Sequence, residues 1–127
     1  MSAGINKINS AIVSVYNGTG STIAAGTRLT LTKATVSSHA EWDATVTGNA
    51  ALCDAVADEA IADGESGPAK LRNGEGMLVM VAAAAFSAGT VTAAASGKVS
   101  TGGGTTEGVA FDAATADGDL VRVRAAL

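Results

Sequence analysis

The 127-residue chain has one cysteine, one proline and four aromatic side chains: one Trp, one Tyr and two Phe. A lone cysteine, Cys53, rules out an internal disulfide framework and any zinc site built from several thiolates, and it is expected as a small buried hydrophobe. Basic residues number 8 against 12 acidic ones, for a formal net charge of −4, and no two of them adjoin. Nucleic-acid binding needs a basic patch that displaces counterions from phosphates, usually with stacking aromatics beside it, so none is expected. Long apolar runs are missing too. Met77–Phe86 is ten residues long, short of the about 18 that a membrane-spanning helix needs. The opening Met1-Ser2-Ala3-Gly4 lacks the basic end and apolar stretch of a secretory signal. Its glycine stands fourth, where myristoylation needs it second. The chain is expected to work where it is made.

What fills the chain instead is small: 28 alanines, 16 glycines and 14 threonines. Ile, Leu, Val and Phe together number 26, at the lower edge of what a packed domain carries. The core is therefore thin, and one small domain of this kind gains from burial against neighbouring subunits.

Along the chain, Met1–Ser10 is polar apart from Ile5 and Ile8 and shows no periodicity, which predicts an extended N-terminal arm ahead of one β-rich domain over residues 11–127. Ile12–Tyr16 is β-branched and aromatic and stops at the turn formers Asn17-Gly18-Thr19-Gly20, a strand and then a turn. From Thr27 to Val36, Leu29 and Leu31 alternate with Arg28, Thr30 and Thr32, the pattern of a half-buried strand. Ser37–Asp43 is polar and aperiodic, an expected loop. Asn49–Asp63 has high helix propensity, with Asn49 and Gly64 as caps. Asn73-Gly74 between apolar flanks predicts a hairpin, followed by a buried strand over Met77–Val81. Ser96-Gly97 marks a second hairpin, Gly102–Gly104 a flexible loop, and Leu120–Ala125 a final strand with Val121 and Val123 on one face and Arg122 and Arg124 on the other.

An internal repeat changes the reading of the alanine-rich segment. Ala57–Glu65 aligns with Phe111–Asp119 through Asp58/Asp112, Ala60/Ala114, Ala62/Ala116, Asp63/Asp117 and Gly64/Gly118. Ile23-Ala24-Ala25-Gly26-Thr27 likewise echoes Phe86-Ser87-Ala88-Gly89-Thr90. The second copy feeds straight into a strand, so the first is expected as a strand with at most a short helical turn, tertiary context overriding propensity.

No constellation carries chemistry. His39, Glu41 and Asp43 alternate, but one histidine and two carboxylates on a polar loop make a poor ligand set, and no metal is assigned. Ser37 or Ser38 beside His39 faces away from it on a strand, and no Gly-x-Ser-x-Gly elbow exists. Gly102–Gly104 is followed by no Walker lysine. Asp63-Gly64-Glu65 and Asp117-Gly118-Asp119 read as turns, since no EF-hand loop surrounds them. Trp42 reads either as a local core plug or as an exposed anchor in a subunit contact.

The Ala-Gly-Thr strand entries, and above all Gly108-Val109-Ala110 leading to Asp117-Gly118-Asp119-Leu120-Val121-Arg122-Val123 with its earlier echo, resemble the capsid decoration (cement) proteins of tailed phages. The resemblance runs from about Ile23 to the C-terminus; the stretch Ser37–Ala51 departs from it. It implies a mainly β fold, a small β-tulip or β-barrel-like domain with an extended arm and at most one or two short helices. It implies no catalytic residue, no cofactor and no small-molecule substrate. The implied place is the virion, on the outer surface of an icosahedral head, after synthesis in the host cytoplasm. The implied partners are the major capsid protein and neighbouring copies, as a trimer, with dimers or monomers also occurring in such families. Ile5, Ile8, Ile12, His39 and Trp42 are the expected capsid or subunit interface. A different class also fits a small acidic β-rich chain: a binding module for carbohydrate or host-surface attachment, which favours more exposed aromatics than this chain has.

Overall fold

The computed structural model describes residues 11–33, 41–72 and 77–125. Valine, threonine and alanine dominate these stretches, and β-branched side chains fit a pleated surface better than a helix. Ten strands result: β1 (Ile12–Asn17), β2 (Arg28–Thr32), β3 (Trp42–Val46), β4 (Ala55–Ala57), β5 (Ser66–Leu71), β6 (Leu78–Val81), β7 (Gly89–Ala93), β8 (Val99–Ser100), β9 (Thr106–Ala110) and β10 (Leu120–Ala125). Among the described residues the helical content is a 3-10 turn at Ala95–Gly97, in line with the mainly β, barrel-like expectation.

The strands form two units in chain order. The first five close into a barrel in the order β1-β3-β2-β4-β5, its seam being the parallel pair β1/β3 through Val15↔Trp42, Tyr16↔Asp43 and Asn17↔Ala44. The second five lie in the order β6-β10-β9-β7-β8, the same cyclic order, with the seam reduced to one parallel bridge, Ala82↔Val99. The sequence repeat is thus a structural duplication. The Asn17 N–H donates to the Glu65 carbonyl as the Ala82 N–H donates to that of Asp119. The Gly64 and Gly118 N–H groups then return to the Asn17 and Ala82 carbonyls. Both turn glycines hold positive φ, 79° and 98°, which only glycine adopts without cost. Upstream of the turn the ladder departs from the sequence echo by one residue. The bridges Ile23↔Ile61 and Phe86↔Ala114 make Ala114 the equivalent of Ile61, not of Ala60, because the second unit has one more residue before its turn glycine.

Each unit has its own core. Val15, Ile23, Leu29, Ala44, Ala55, Ala57, Ile61 and Ala69 fill the first. Leu78, Met80, Phe86, Val91, Val99, Val121 and Val123 dominate the second, and the first unit lends it Cys53 and Val56. That loan explains why Asn49–Asp63 forgoes a helix: Ala55 and Ala57 face into the barrel while Val56, between them, faces the other unit, so a period of two buries all three.

Two local expectations fail. The strands flanking Asn73-Gly74 exist, but β5 pairs with β1 and β4 whereas β6 pairs with β10. The link therefore joins two units rather than two hairpin strands; residues 73–76 lie outside the described set. Ser37–Asp43 is not all loop, since Trp42 and Asp43 open β3 against β1 and β2. Aperiodicity misled there because Trp42 takes a core-side position at the open end of the barrel, level with Val15, where the side chain is still half exposed.

Candidate interaction surfaces

The most elaborate polar structure is the buried joint between the units. Alternation along β2 turns Leu29 into the first barrel and Arg28 out of it, but outward here means into the second unit, and Arg28 is fully buried. Its Nη1 donates to Glu107 Oε2 at 2.8 Å and to the Ala51 carbonyl at 3.2 Å. Nε reaches the Lys98 carbonyl at 2.9 Å. Nη2 reaches those of Ala94, Gly48 and Thr47 at 2.8, 2.9 and 3.3 Å. One side chain thereby ties three carbonyls of the first unit to two of the second. Burial pulls the Arg28 guanidinium below its ordinary pKa, with the nearby Cys53 opposing.

Glu107 reaches this position through a β-bulge. Gly108 pairs with Val91 and Thr106 with the adjacent Thr92, so Glu107 is the extra residue of β9, and such a residue re-aims its side chain. Arg72 forms an ion pair with the same carboxylate, and its Nη2 donates to the Glu107 carbonyl at 2.8 Å. Cys53 Sγ lies 3.5 Å from Glu107 Oε1; burial is the main force pushing the thiol pKa up, against the two guanidiniums. Cys53 is buried as expected, but against charges. Close approach completes the joint: a Cβ on Gly97, at φ 72°, would fall 2.5 Å from Thr27 Cγ2 and 2.9 Å from Val46 Cγ1. Sequence reading missed Arg28, Arg72 and Glu107 altogether. The only signal was an arginine in an otherwise threonine-lined strand face.

Of the expected interface residues, Ile5, Ile8 and the whole arm Met1–Ser10, together with His39, lie outside the described residues. Ile12 and Trp42 are described and exposed, at 44% and 50%, on different strands of the first barrel. Trp42 borders a depression of about 320 Å³ at one end of that barrel, with Val13, Leu31, Leu71 and Asp54. Ile12, one residue before Val13, faces the outside of the barrel opposite Lys70.

A second exposed apolar surface was not foreseen. On the outer face of β6-β10-β9, Val79, Val109, Phe111 and Leu120 are 45%, 44%, 52% and 56% exposed. Arg122 and Arg124 stand among them. Asp112 binds Arg122 at 2.8 and 2.9 Å, and that pairing holds the Asp112 carboxyl down to about 2. The far side of the same unit offers Thr90, Thr92 and Ser100 instead.

Among the described residues no three His, Cys, Asp or Glu side chains converge as a metal site, and no helix is long and apolar enough to cross a membrane.

No protein-family model matches the chain, and no curated protein matches it in sequence. Among solved structures it is similar to the head fiber gp8.5 N base in bacteriophage phi29, with a TM-score of 0.70 and 16% identity over 91% of this chain and 96% of that one. At that identity the likeness establishes a shared fold across nearly the whole length of both chains.

Proposed function

We propose that the protein is a structural virion component that sits on the outer surface of an icosahedral phage head and cements neighbouring major capsid protein subunits. The observation that carries the reading is the fold held in common with a phage head fibre base over 91% of the chain. Two features of the molecule support it. Among the described residues eight large hydrophobic side chains are exposed, more than a thin core would spare for solvent. Its buried charges are consumed in holding the units together, and this favours a scaffold over a catalyst.

On this reading residues 11–127 act as one body, since Arg28 and Glu107 bind the units to each other. The partners are the major capsid protein and other copies of the chain, in trimers. Trp42 with the depression beside it and Ile12 belong to the contact surface. Ile5 and Ile8 on the arm would add a further anchor by docking onto a neighbouring sheet edge. Deleting Met1–Ser10 is then expected to lower capsid occupancy, and unchanged occupancy would remove the arm from the account.

The direct test is co-sedimentation of the purified chain with expanded, undecorated heads of its own virus, beside heads of an unrelated one. Saturable binding to the first alone is expected. Binding to neither would overturn the proposal and bring forward a surface-attachment module, for which a glycan array is the next experiment.

A further inference from the structure

The way the first unit meets the second can be repeated by the second. On the outer side of β4 and β5, Val56 enters the second core, and Asp58 and Lys70 line with it a groove of about 250 Å³ against Leu78, Val79 and Leu120. Lys70 also donates to the Met77 carbonyl at 2.9 Å, just before β6. The ladders give the equivalents in the second unit. Val56 pairs with Lys70 as Val109 pairs with Arg124, and the Asp58 N–H donates to the Pro68 carbonyl as that of Phe111 donates to Arg122. So Val109, Phe111 and Arg124 stand where Val56, Asp58 and Lys70 stand. In the first set Val56 is covered by the second unit and Lys70 is partly so, while Asp58 stays exposed at the edge of the groove. The second is open: Val109 is 44% exposed where Val56 is 2% exposed.

We infer that this face is covered by the first barrel of a second copy of the chain, with β1 in the place that β6 holds within one chain. Ser14 and Tyr16 of β1 oppose Pro68 and Ser66, as Val79 and Val81 of β6 oppose Arg122 and Leu120. One step further back, Ile12 corresponds to Met77. Ile12 of the second copy meets Val109 and Phe111, and Arg124 donates to a main-chain carbonyl at the start of that β1, as Lys70 does at Met77. The surface is made for a protein of this chemistry: apolar at its middle, with an arginine at the rim seeking backbone oxygen. Different surfaces meet, so the contact is head-to-tail. The inference rests on the reading of other copies as partners and names the surface they use.

Sedimentation velocity of the full chain without heads tests it across a wide range of concentration. The wild type is expected to self-associate. Val109→Asp, which puts a carboxylate where the internal joint buries Val56, and Ile12→Asp are each expected to abolish association. Leu52→Asp, at an exposed apolar site that is in neither set of proposed contact residues, is expected to keep it. A mixture of Ile12→Cys and Val109→Cys copies treated with a short bismaleimide is expected to give the mixed cross-link, which also guards against a variant that merely misfolds. A monomeric wild type, association undiminished in both aspartate variants, or absence of the mixed cross-link would overturn it. Head binding is read separately, so failure here leaves that proposal standing, and failure there leaves this one.

Discussion

In the first barrel the outer positions of β1 and β5 hold Ser14, Tyr16, Ser66, Pro68 and Lys70; the equivalent positions of β6 and β10 hold Val79, Val81, Leu120, Arg122 and Arg124. One connectivity therefore carries a hydroxyl-rich face in its first copy and an apolar, arginine-bearing face in its second. The neighbouring strands invert the contrast. Val56 on the first unit is spent on the internal joint, while Val109 on the second remains open. Duplication teaches what each face is for, because the covered copy shows how the uncovered one would be used. The closures differ as well. The first barrel has a ladder at its seam, the second a single bridge.

Removing the joint breaks the comparison hardest. Arg28→Met takes a buried cation from Glu107 and a donor from the carbonyls of Ala51, Ala94, Gly48 and Thr47, and is expected to cost about 3–5 kcal/mol, the scale of breaking a buried ion pair from one side. A urea melt followed by Trp42 fluorescence in the first unit and by hydrogen exchange in the second should show both units weakened together. Loss confined to one unit would mean that the joint is not what unites them. Next in size is Leu29→Ala, which empties the first core alone and is expected to cost about 2–5 kcal/mol in the same denaturation measurement. Gly97→Ala forces a Cβ between Thr27 and Val46 at positive φ and is expected to cost about 1–3 kcal/mol, read as a fall in melting temperature. Val109→Asp is expected to change stability by about 1 kcal/mol or less, since the site is an exposed strand position, while its effect appears in self-association.

The smallest expected effect is acidic. The Arg122 guanidinium and then its backbone N–H hold Asp112 at about 2 against an ordinary 3.8, and the Thr115 backbone N–H and hydroxyl lower Asp119. A carboxylate depressed in the fold contributes stability that is complete above its unfolded value and lost as pH falls through the folded one. Both residues sit in the second unit. Between about pH 4 and pH 2 the amides of Thr115 and Arg122 are therefore expected to lose exchange protection before those of the first barrel, and Asp112→Asn is expected to flatten that response.

Most strands were legible because alternation states which face is buried: Leu29 in β2, and Val121 and Val123 in β10. The repeat correctly overruled helix propensity over Asn49–Asp63. What alternation cannot state is what covers the other face. Arg28 and Arg122 look alike in sequence, each on the polar side of a strand, yet one is enclosed by a second unit and the other meets solvent. Glu107 was illegible for a related reason, since its inward aim comes from a bulge set by pairing with β7. The Asn73-Gly74 turn signal was local, whereas strand partners were decided by closure of each unit on itself. Of the surfaces, Ile12 and Trp42, expected at an interface, are exposed, but the β6-β10-β9 face escaped notice because Val79 lies in a strand expected to be buried and Phe111 was weighed only as part of the repeat.

The claim that this chain cements a phage head is tested most directly by the thermal unfolding of expanded, undecorated heads with and without a saturating amount of the chain. Preferential binding to the assembled shell raises its melting temperature by mass action, in proportion to occupancy, and that rise is the predicted result. Heads that bind the chain to saturation yet melt at an unchanged temperature would contradict cementing.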